Sequence, residues 1–405
     1  MNAIIRLSWK NIMRRKRRSI LLMAIIAVGV FAGTFVVAFI NGWMQSGIDE
    51  HLRMQTSHLQ IHAKGYNDTN DIGSYMEKGE VEKVVSNCNG IAKVSYRLKV
   101  NALLTTAETG VGVVLIGVDA DDEKEVSDIH RTIDKGEGDF LADGTTHPIV
   151  ISRNTAEALN AHLNSKILVT LQDTNGNMQE IMLRVGGIFH TYSKRFDSST
   201  AYILRDDMLP YMSLPQSAVH EAAIRLKDFE SCKATQDSLA AASRDFDVKR
   251  WDEIYPLMEV LSAWREISNV ILLIIFFSAL AFGIMNFMLM SVMERKSELN
   301  MLRHIGVSQR RMTYMILAET LSLISIGTVA GSLLCLSATA YFSKHGIDIS
   351  FLLDNVRYGF SPIIYPKMVV SNLVEIVILV FVTGTFSSIT PVKKATLTYK
   401  SSNNE

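Results

Sequence analysis

The chain has 405 residues, a formal net charge of zero, 48% hydrophobic residues and three cysteines. Because the net charge is zero, the overall charge says nothing about partners, and no nucleic-acid partner is predicted. The length allows two or three domains, and the apolar residues are concentrated in a few uncharged runs.

Four apolar runs follow one another along the chain. Each has the roughly 20 residues needed to cross a bilayer, so we predict transmembrane helices at 20–42, 267–293, 313–343 and 368–391. The N-terminal stretch, the loop after the second run and the C-terminal tail are rich in Lys and Arg. Such segments stay in the cytoplasm, which predicts that both termini lie inside. The first run is too long for a cleaved signal peptide and is predicted to remain as an anchor.

The remaining segments alternate between the two sides of the membrane. The sequence predicts a cytoplasmic amphipathic helix at 1–19, a large external domain at 43–266, a cytoplasmic helix at 294–312, a short external loop at 344–367 and a cytoplasmic tail at 392–405. The external domain, inserted between the first and second transmembrane helices, is long enough to bury its own core.

The external domain is predicted to be α+β. "SHLQIH", "KVSYRLKV" and "GVVLIGVD" are typical of strands, and "HPIVIS" followed by "RNTAEALNAHL" indicates a strand and then a helix. "SKILVTLQ" and "MQEIMLRVGGIF" flank 173–177, where Asn-Gly favours a hairpin with a type I′ turn. From Phe229 to Leu261 the pattern is helical and leads into the second span.

The segment "ERKSELNMLRHIG" predicts a short amphipathic helix between the second and third spans. Leu299, Leu302 and Ile305 recur near helical spacing, and Gly306 is a natural stop. A plain cytoplasmic turn is one interpretation. The other is a helix that receives a push from a soluble partner. Its apolar residues would fit the partner's groove, and four charged residues would set the register: Glu294, Arg295, Glu298 and Arg303.

Catalytic motifs are missing from the sequence. It has no phosphate-binding loop of the ATPase type and no H-E-x-x-H, G-x-S-x-G or C-x-x-C. His58 and His62 would share one strand face, but no carboxylate or cysteine stands beside them, so we predict no metal site. Cys88 and Cys232 would both be external, and the sequence leaves open whether they are bonded.

Two G-x-x-x-G pairs lie within the apolar runs, Gly29 with Gly33 and Gly327 with Gly331. Small residues at this spacing let helix backbones approach closely, so all four are predicted to serve helix packing.

Several of these segments resemble one family. "ERKSELNMLRHIGVSQRRMTYMILAE" resembles the cytoplasmic loop of the ABC transporter permeases of the FtsX/MacB superfamily, which includes the lipoprotein-releasing subunits LolC and LolE. "LRVGGIFHTYSKRFDSSTAYI" resembles a segment most typical of that lipoprotein-releasing branch. "LSWKNIMRRKRRSILLM", "VKRWDEIYPLMEVL" and "ITPVKKATLTYK" resemble further stretches of the family, so the resemblance covers nearly the whole chain.

The resemblance implies a fold and a set of partners. The fold would be an α-helical membrane protein with four transmembrane helices and a MacB-like periplasmic core domain, located in the inner membrane. Two permeases, identical or homologous, would pair and bind two copies of a separate LolD-like ATPase. ATP and Mg would be bound by that ATPase, so the chain itself is predicted to be non-catalytic and to hold no cofactor. Membrane lipids, a periplasmic lipoprotein and its carrier would be further partners.

The resemblance also implies a mechanism. ATP-driven closure of the ATPases would press on the coupling helix, through Glu294, Arg295, Glu298, Leu299, Leu302, Arg303, Ile305 and Gly306, and the motion would reach the periplasmic domains. In this family the first and second spans would form the contact between protomers, and Gly327 and Gly331 would pack within one protomer.

One departure from the family concerns the carrier protein. The long hairpin by which LolC-type subunits hook the carrier corresponds in this chain to the short "DTNGN". A sister subunit would supply the hook, or the substrate pathway differs. Lipoprotein release is the favoured function. The alternatives are MacB-like export, FtsX-like regulation of a periplasmic hydrolase, and a membrane-anchored sensor or enzyme that uses the external domain alone.

Overall fold

The computed structural model describes residues 16–66, 71–142, 146–243, 245–353 and 361–397. They form two compact units. The membrane unit contains the described residues up to Gln45, residues 262–350 and the described residues from 363 onward. The sheet unit contains residues 46–261 and 351–362, as far as they are described.

Long helices make up most of the membrane unit, whereas short helices and strands alternate in the sheet unit. The helices are α1 (Lys16–His51), α2 (Lys78–Ser86), α3 (Ala120–Val126), α4 (Arg153–Ala158), α5 (Lys194–Asp197), α6 (Arg205–Met208), α7 (Cys232–Ala242), α8 (Trp251–Ile254), α9 (Pro256–Glu294), α10 (Lys296–His304), α11 (Gln309–His345), α12 (Ser350–Leu353) and α13 (Val370–Leu397). The strands are β1 (Leu59–Ala63), β2 (Met76–Glu77), β3 (Ile91–Thr105), β4 (Gly110–Val118), β5 (Ile133–Gly138), β6 (Pro148–Ser152), β7 (Lys166–Gln172), β8 (Met178–Phe189), β9 (Thr200–Leu204), β10 (Ala218–Val219), β11 (Glu221–Leu226), β12 (Phe246–Arg250), β13 (Ile347–Asp348) and β14 (Ile363–Ile364). A π-helical turn (Leu52–Thr56) follows α1 directly.

The membrane unit is built from long apolar helices. Among the described residues, four helices are long and apolar enough to cross a membrane: Lys16–Thr56, Ala263–Glu294, Gln309–His345 and Val370–Ile389. This confirms the prediction of four spans. The helices of the first two spans extend beyond the predicted limits, because hydropathy marks only the part of a helix that suits lipid: α1 continues to His51 and α9 already begins at Pro256.

The sheet unit contains one large mixed sheet. Ten strands belong to it, in the order β12-β1-β11-β3-β4-β9-β6-β8-β5, and β7 pairs with both β3 and β8. The strands predicted from alternation are all present, and β6 is followed directly by α4 as expected. Buried Leu, Ile and Val side chains fill both faces, which is why the inner strands are almost continuously apolar. The fold class is therefore confirmed, with the sheet unit inserted between the first two spans.

Two local predictions in the sheet unit are wrong. The stretch from Phe229 to Leu261 is not helical throughout, because β12 interrupts it and pairs antiparallel with β1. The β7–β8 hairpin exists, but its turn is not type I′: Gly176 has φ +86°, whereas Asn175 is not in the left-handed region. The carboxylate of Asp173 instead accepts backbone N–H bonds from Asn175 and Asn177 at 2.9 and 2.8 Å. A side-chain acceptor thus replaces the turn chemistry that Asn-Gly favours.

Candidate functional site

The helix between the second and third spans, α10, has a defined start and stop. Arg295 leaves the helical conformation and separates α9 from α10. At the other end, Gly306 has φ +92°, a value that L side chains rarely adopt. The N–H of Gly306 donates to Arg303 O and that of Val307 donates to Leu302 O, at 2.9 and 3.1 Å. This pair of bonds is a Schellman motif, so Gly306 ends the helix as the sequence predicts.

Ion pairs join the junction of α9 and α10 to two other spans. Arg18 on α1 pairs with Glu294 at the end of α9, and its guanidinium lies over the ring of Phe287. Arg295 donates to both carboxylate oxygens of Glu319 on α11, at 3.1 and 2.8 Å. Two consecutive residues therefore connect the start of α10 to the first and third spans.

The pair between Arg295 and Glu319 is largely removed from solvent. Their side chains are 13% and 14% exposed. Burial alone would lower the pKa of Arg295, but the carboxylates of Glu319 and Glu298 more than offset it and raise that pKa. Arg295 therefore stays charged, and it also bonds Glu298 within α10 at 3.3 Å. A charge pair in this setting holds α10 in one position relative to α11.

The apolar residues of α10 divide between two directions. Leu299 is 4% exposed and belongs to the core of the membrane unit, and Leu302 packs against that core. These two leucines therefore fasten α10 to its own unit, and the fit of this helix to a partner's groove stays a prediction. The exposed apolar surface consists of Met301, at 59%, and Ile305, at 73%. They lie four residues apart and so share one face of the helix.

The four glycines of the two G-x-x-x-G pairs lie at contacts between helices of the membrane unit. A Cβ on Gly331 would come within 2.6 Å of Ala27 O, and one on Gly327 would come within 2.8 Å of the Ile26 side chain. A Cβ on Gly29 would lie 3.0 Å from Leu280 on α9. Gly33 lies less tightly against the same helix, because its Cβ would be 3.9 Å from Phe276. The two pairs thus place α1 against α11 and α9 within the chain.

A buried charge cluster inside the sheet unit escaped the sequence analysis. Arg97 on β3 is 2% exposed and donates to Glu123 through Nε and Nη2, at 2.9 and 2.6 Å. Its Nη1 donates to Glu221 on β11 at 2.8 Å, and Lys99 also pairs with Glu221. Both carboxylates have no solvent exposure. Burial alone would raise the pKa of Glu221, but Lys99 and Arg97 outweigh it and hold that pKa well below its usual range.

This cluster is also hydrogen-bonded to the π-helical turn that follows α1. The Nη1 of Arg97 donates to Gln55 O in the π-helical turn at 3.1 Å. Next to it, Gln60 Nε2 donates to Thr56 O at 2.9 Å. The turn ends at Ser57, which has a φ of +59° and donates through its hydroxyl to Ile224 O at 2.7 Å. A strained residue persists only when its surroundings hold it in place. Within the sheet unit, the π-helical turn is therefore held tightly against the sheet.

The sequence pattern of β3 predicts a different environment for the residues of this cluster. Ser95, Arg97 and Lys99 alternate with apolar residues on β3, a pattern that normally indicates a solvated face. Helix α3 covers that face, and its Glu123 also accepts a hydrogen bond from Ser95 at 2.7 Å. A tertiary contact therefore converts an apparently exposed polar stripe into a buried one.

Histidines next to the cluster stack on an aromatic ring. Tyr66 lies between His62 and His220, with ring centroids 5.5 and 5.3 Å away. His62 contacts His220 O and Gln60 Oε1 through its two ring nitrogens, whereas Nδ1 of His58 accepts from Leu226 N. His58 and His62 therefore have separate hydrogen-bond partners. The thiols of Cys88, Cys232 and Cys335 are all free.

We expect the sheet unit to lose stability as the pH falls below about 6.5. His220 Nδ1 accepts the N–H of Lys99 at 3.1 Å and its Nε2 lies 2.9 Å from Ile72 O, so the ring is bonded in its neutral form. Burial lowers its pKa, and the pKa of His58 is lowered for the same first reason. Below pH 6.5 the unfolded chain therefore binds protons that the folded chain does not, which costs up to about 1.4 kcal/mol per pH unit for each histidine.

Hydrogen exchange of the full chain in detergent, measured between pH 7 and pH 5, tests this after correction for intrinsic exchange rates. A His220→Gln variant should show a shallower loss of protection in β3 and β11. The exposed His162 provides the matched control, and His162→Gln should retain the full slope. Equal slopes in all three proteins would contradict the assignment.

The segment "GIFHTYSKRFDSST" folds into the connection from β8 through α5 to β9. Asp197 is fully buried, and its carboxylate accepts from the backbone N–H and hydroxyl of Thr191 at 3.1 and 2.7 Å. Its backbone O accepts from the hydroxyls of Ser152 and Thr155. The aspartate of this segment therefore has a structural role in the turn.

Two family descriptions match the chain. Residues 19–242 match the MacB-like periplasmic core domain, and residues 270–398 match the FtsX-like permease C-terminal region. Among solved structures, the periplasmic region of MacB from Actinobacillus actinomycetemcomitans is similar with a TM-score of 0.37 and 15% identity, covering 53% of this chain and 97% of its own.

Two curated relatives of the chain are a LolC protein and a MacB protein. The lipoprotein-releasing system transmembrane protein LolC of Neisseria meningitidis is 25% identical over 317 residues, which is 76% of this chain and 73% of its own length. The macrolide export ATP-binding/permease protein MacB of Neisseria gonorrhoeae is 22% identical over 367 residues, which is 85% of this chain. The chain spans only 54% of the length of that MacB. With one description matching more than half of the chain and the other most of the remainder, this protein belongs to the FtsX/MacB family of ABC transporter permeases.

Proposed function

We propose that this permease couples ATP hydrolysis by a separate LolD-like ATPase to movement of its periplasmic domain. The observation that carries the proposal is the way α10 is attached to the membrane unit. Arg295, Leu299 and Leu302 hold this helix against the membrane unit, while Met301 and Ile305 present an exposed apolar face. A helix fixed on one side and apolar on the other is suited to receive a mechanical push from a soluble subunit.

The coupling residues have two different roles in this proposal. Met301 and Ile305 contact the ATPase, together with the exposed Gly306 turn. Arg295, paired with Glu319, passes the displacement to the third span. Glu294 does the same for the first span through Arg18. Glu298 and Arg303 set the register, ATP and Mg stay on the ATPase, and this chain is non-catalytic.

The path from the first span to the periplasmic domain is the junction at the π-helical turn. Gln55 within this turn and Ser57 directly after it are bonded to the sheet, through Arg97 and Ile224 respectively. A displacement of the first span along its axis would therefore act on β3 and β11. In this arrangement both termini are cytoplasmic, the large domain is periplasmic, and a second permease, identical or homologous, completes the transporter.

The substrate in this proposal is a lipoprotein anchored in the inner membrane. Support comes from the similarity to LolC over 76% of the chain and from the segment around Asp197. Release would lift the lipid anchor out of the bilayer, with membrane lipids around the spans and a periplasmic carrier as acceptor. The tight turn at Asp173–Asn177 is too short to act as a carrier hook, so the partner permease would supply that hook.

Charging the exposed face of α10 tests the coupling proposal. A Met301→Glu/Ile305→Glu double variant is expected to lose the associated ATPase and at least about nine-tenths of the co-purifying ATP hydrolysis, because a buried, unpaired carboxylate in an interface costs several kcal/mol. The measurement is vanadate-sensitive ATP hydrolysis of tagged full-length chain purified from its native membrane. Met178→Glu is the matched control, since Met178 is 69% exposed in the sheet unit.

The same preparation in proteoliposomes tests the substrate. With a triacylated lipoprotein in the bilayer, ATP should move the lipoprotein into the soluble fraction with the unmodified chain and with Met178→Glu, but not with the double variant. ATP hydrolysis that is unaffected in the double variant would overturn the coupling role. Normal coupling with no lipoprotein release would leave the permease assignment intact and point to MacB-like export instead.

A further inference from the structure

A second candidate site lies in the sheet unit, where the π-helical turn meets the sheet. A cavity of about 320 Å³ opens there, lined by Asp49, Leu52, Arg53, Ser57, His58, Val126, Arg225, Leu226, Lys227 and Phe229. Its volume is in the range of small-molecule sites. The proposed coupling mechanism makes no use of it.

The charge of the lining is mainly positive. Three cations, Arg53, Arg225 and Lys227, face one carboxylate, that of Asp49. Arg53 pairs with Asp128, 3.6 Å away, and Asp128 is shared with Arg131 at the same distance. The positive charge of the cavity is therefore only partly compensated by the protein.

Several polar groups of the lining already have backbone hydrogen-bond partners. Arg225 donates one bond, at 3.3 Å, to a backbone carbonyl, that of Glu125, and a guanidinium carries five N–H donors. The hydroxyl of Ser57 and Nδ1 of His58 already have backbone partners. Burial and then the positive charge of Arg225 lower the pKa of His58, so the imidazole stays neutral beside the cations. The remaining hydrogen-bonding capacity of the lining is mostly cationic N–H.

We infer that this cavity binds a phosphate group. Guanidinium groups match the oxygens of phosphate in pairs, and a lysine adds a point charge. Leu52, Val126 and Phe229 give the cavity an apolar wall, which suits a phosphate carried on an organic body. Two sources share this chemistry, a phospholipid headgroup and a free phosphate ester.

A phosphate bound in this cavity would contact two separate segments of the sheet unit. Arg53 belongs to the π-helical turn, whereas Arg225 lies at the end of β11 and Lys227 directly follows that strand. Ser57, the strained residue that ends this turn, lines the same cavity. A phosphate bound by both sides would brace this junction.

Titration of the full chain tests the inference. Inorganic phosphate is added to the protein in uncharged detergent at low ionic strength, and heat is recorded by calorimetry against a chloride control. The unmodified chain should bind at millimolar phosphate or below, with increased hydrogen-exchange protection at 52–58. Arg225→Gln/Lys227→Gln should weaken binding by at least about tenfold, because hydrogen bonds to charged groups are the strong ones.

Two further variants keep the result interpretable. Lys227→Glu changes an exposed residue and should leave folding intact while abolishing phosphate binding. Lys166→Gln, at an exposed lysine on β7, is the control and should leave the phosphate affinity within about twofold, the range of surface substitutions. Displacement of phosphate by short-chain phosphatidylglycerol but not by phosphatidylcholine would identify lipid headgroups as the source. Lack of displacement would identify soluble phosphates. No binding to the unmodified chain, or equal binding by Lys227→Glu, would overturn the inference without bearing on the coupling role.

Discussion

Replacing Arg97 with methionine is expected to destabilise the sheet unit by about 3–5 kcal/mol, the usual cost of removing one partner from a buried charge cluster. Methionine approximates the aliphatic part of arginine, so the loss would come mainly from charge. Among the described residues, Glu123 would keep the hydroxyl of Ser95, and Glu221 would keep Lys99. The bond to Gln55 in the π-helical turn would be lost as well.

Hydrogen exchange of the full chain measures this loss locally, because amides of β3 and β11 report the free energy of opening of their own segments. Arg131→Met is the matched control: the Arg131 side chain is 69% exposed, and the change should cost less than about 0.5 kcal/mol. A loss below about 1 kcal/mol for Arg97→Met would show that the cluster does not hold the junction. The proposed mechanical path would then need another route.

Replacing Arg295 with alanine is expected to lower ATP hydrolysis per bound ATPase by more than about tenfold, equivalent to about 1.4 kcal/mol. The carboxylate of Glu319 would lose its cation where the apolar part of α11 begins, and α10 would lose its charged link to α11. Met301 and Ile305 are unchanged in this variant, so the ATPase should remain bound. Separation of binding from hydrolysis is the signature of a transmitting residue.

A double-mutant cycle makes this prediction specific. Arg295→Ala and Glu319→Gln should each impair hydrolysis, and the double variant should be little worse than either, because both remove the same interaction. Arg310→Ala, a change at an exposed arginine on α11, should leave hydrolysis within about twofold. Additive losses in the cycle would mean that the two residues act separately, and would remove the pair from the coupling path.

The sequence predicted the membrane spans and the strands well, for a physical reason. Lipid accepts only long apolar helices, and a sheet with buried faces requires alternating or continuous apolar runs, so both leave local patterns. The stop at Gly306 was equally local, because the left-handed conformation there favours glycine. The hairpin turn at 173–177 was misjudged because Asp173 supplies its own acceptor, which competes with the Asn-Gly preference.

Other features depend on segments that are far apart in the chain. Local sequence was sufficient to predict a short amphipathic helix between the second and third spans and to identify its apolar residues. The structure was needed to show that Leu299 and Leu302 face inward while Ile305 is exposed, since the apolar stripe of this helix is wide enough to turn either edge to its neighbours. The structure alone also brought Arg97 and Glu221, 124 residues apart, into one buried cluster. Strand pairing and the packing of a helix over the sheet decide whether a polar stripe contacts water or charged side chains. Local sequence encodes neither of them.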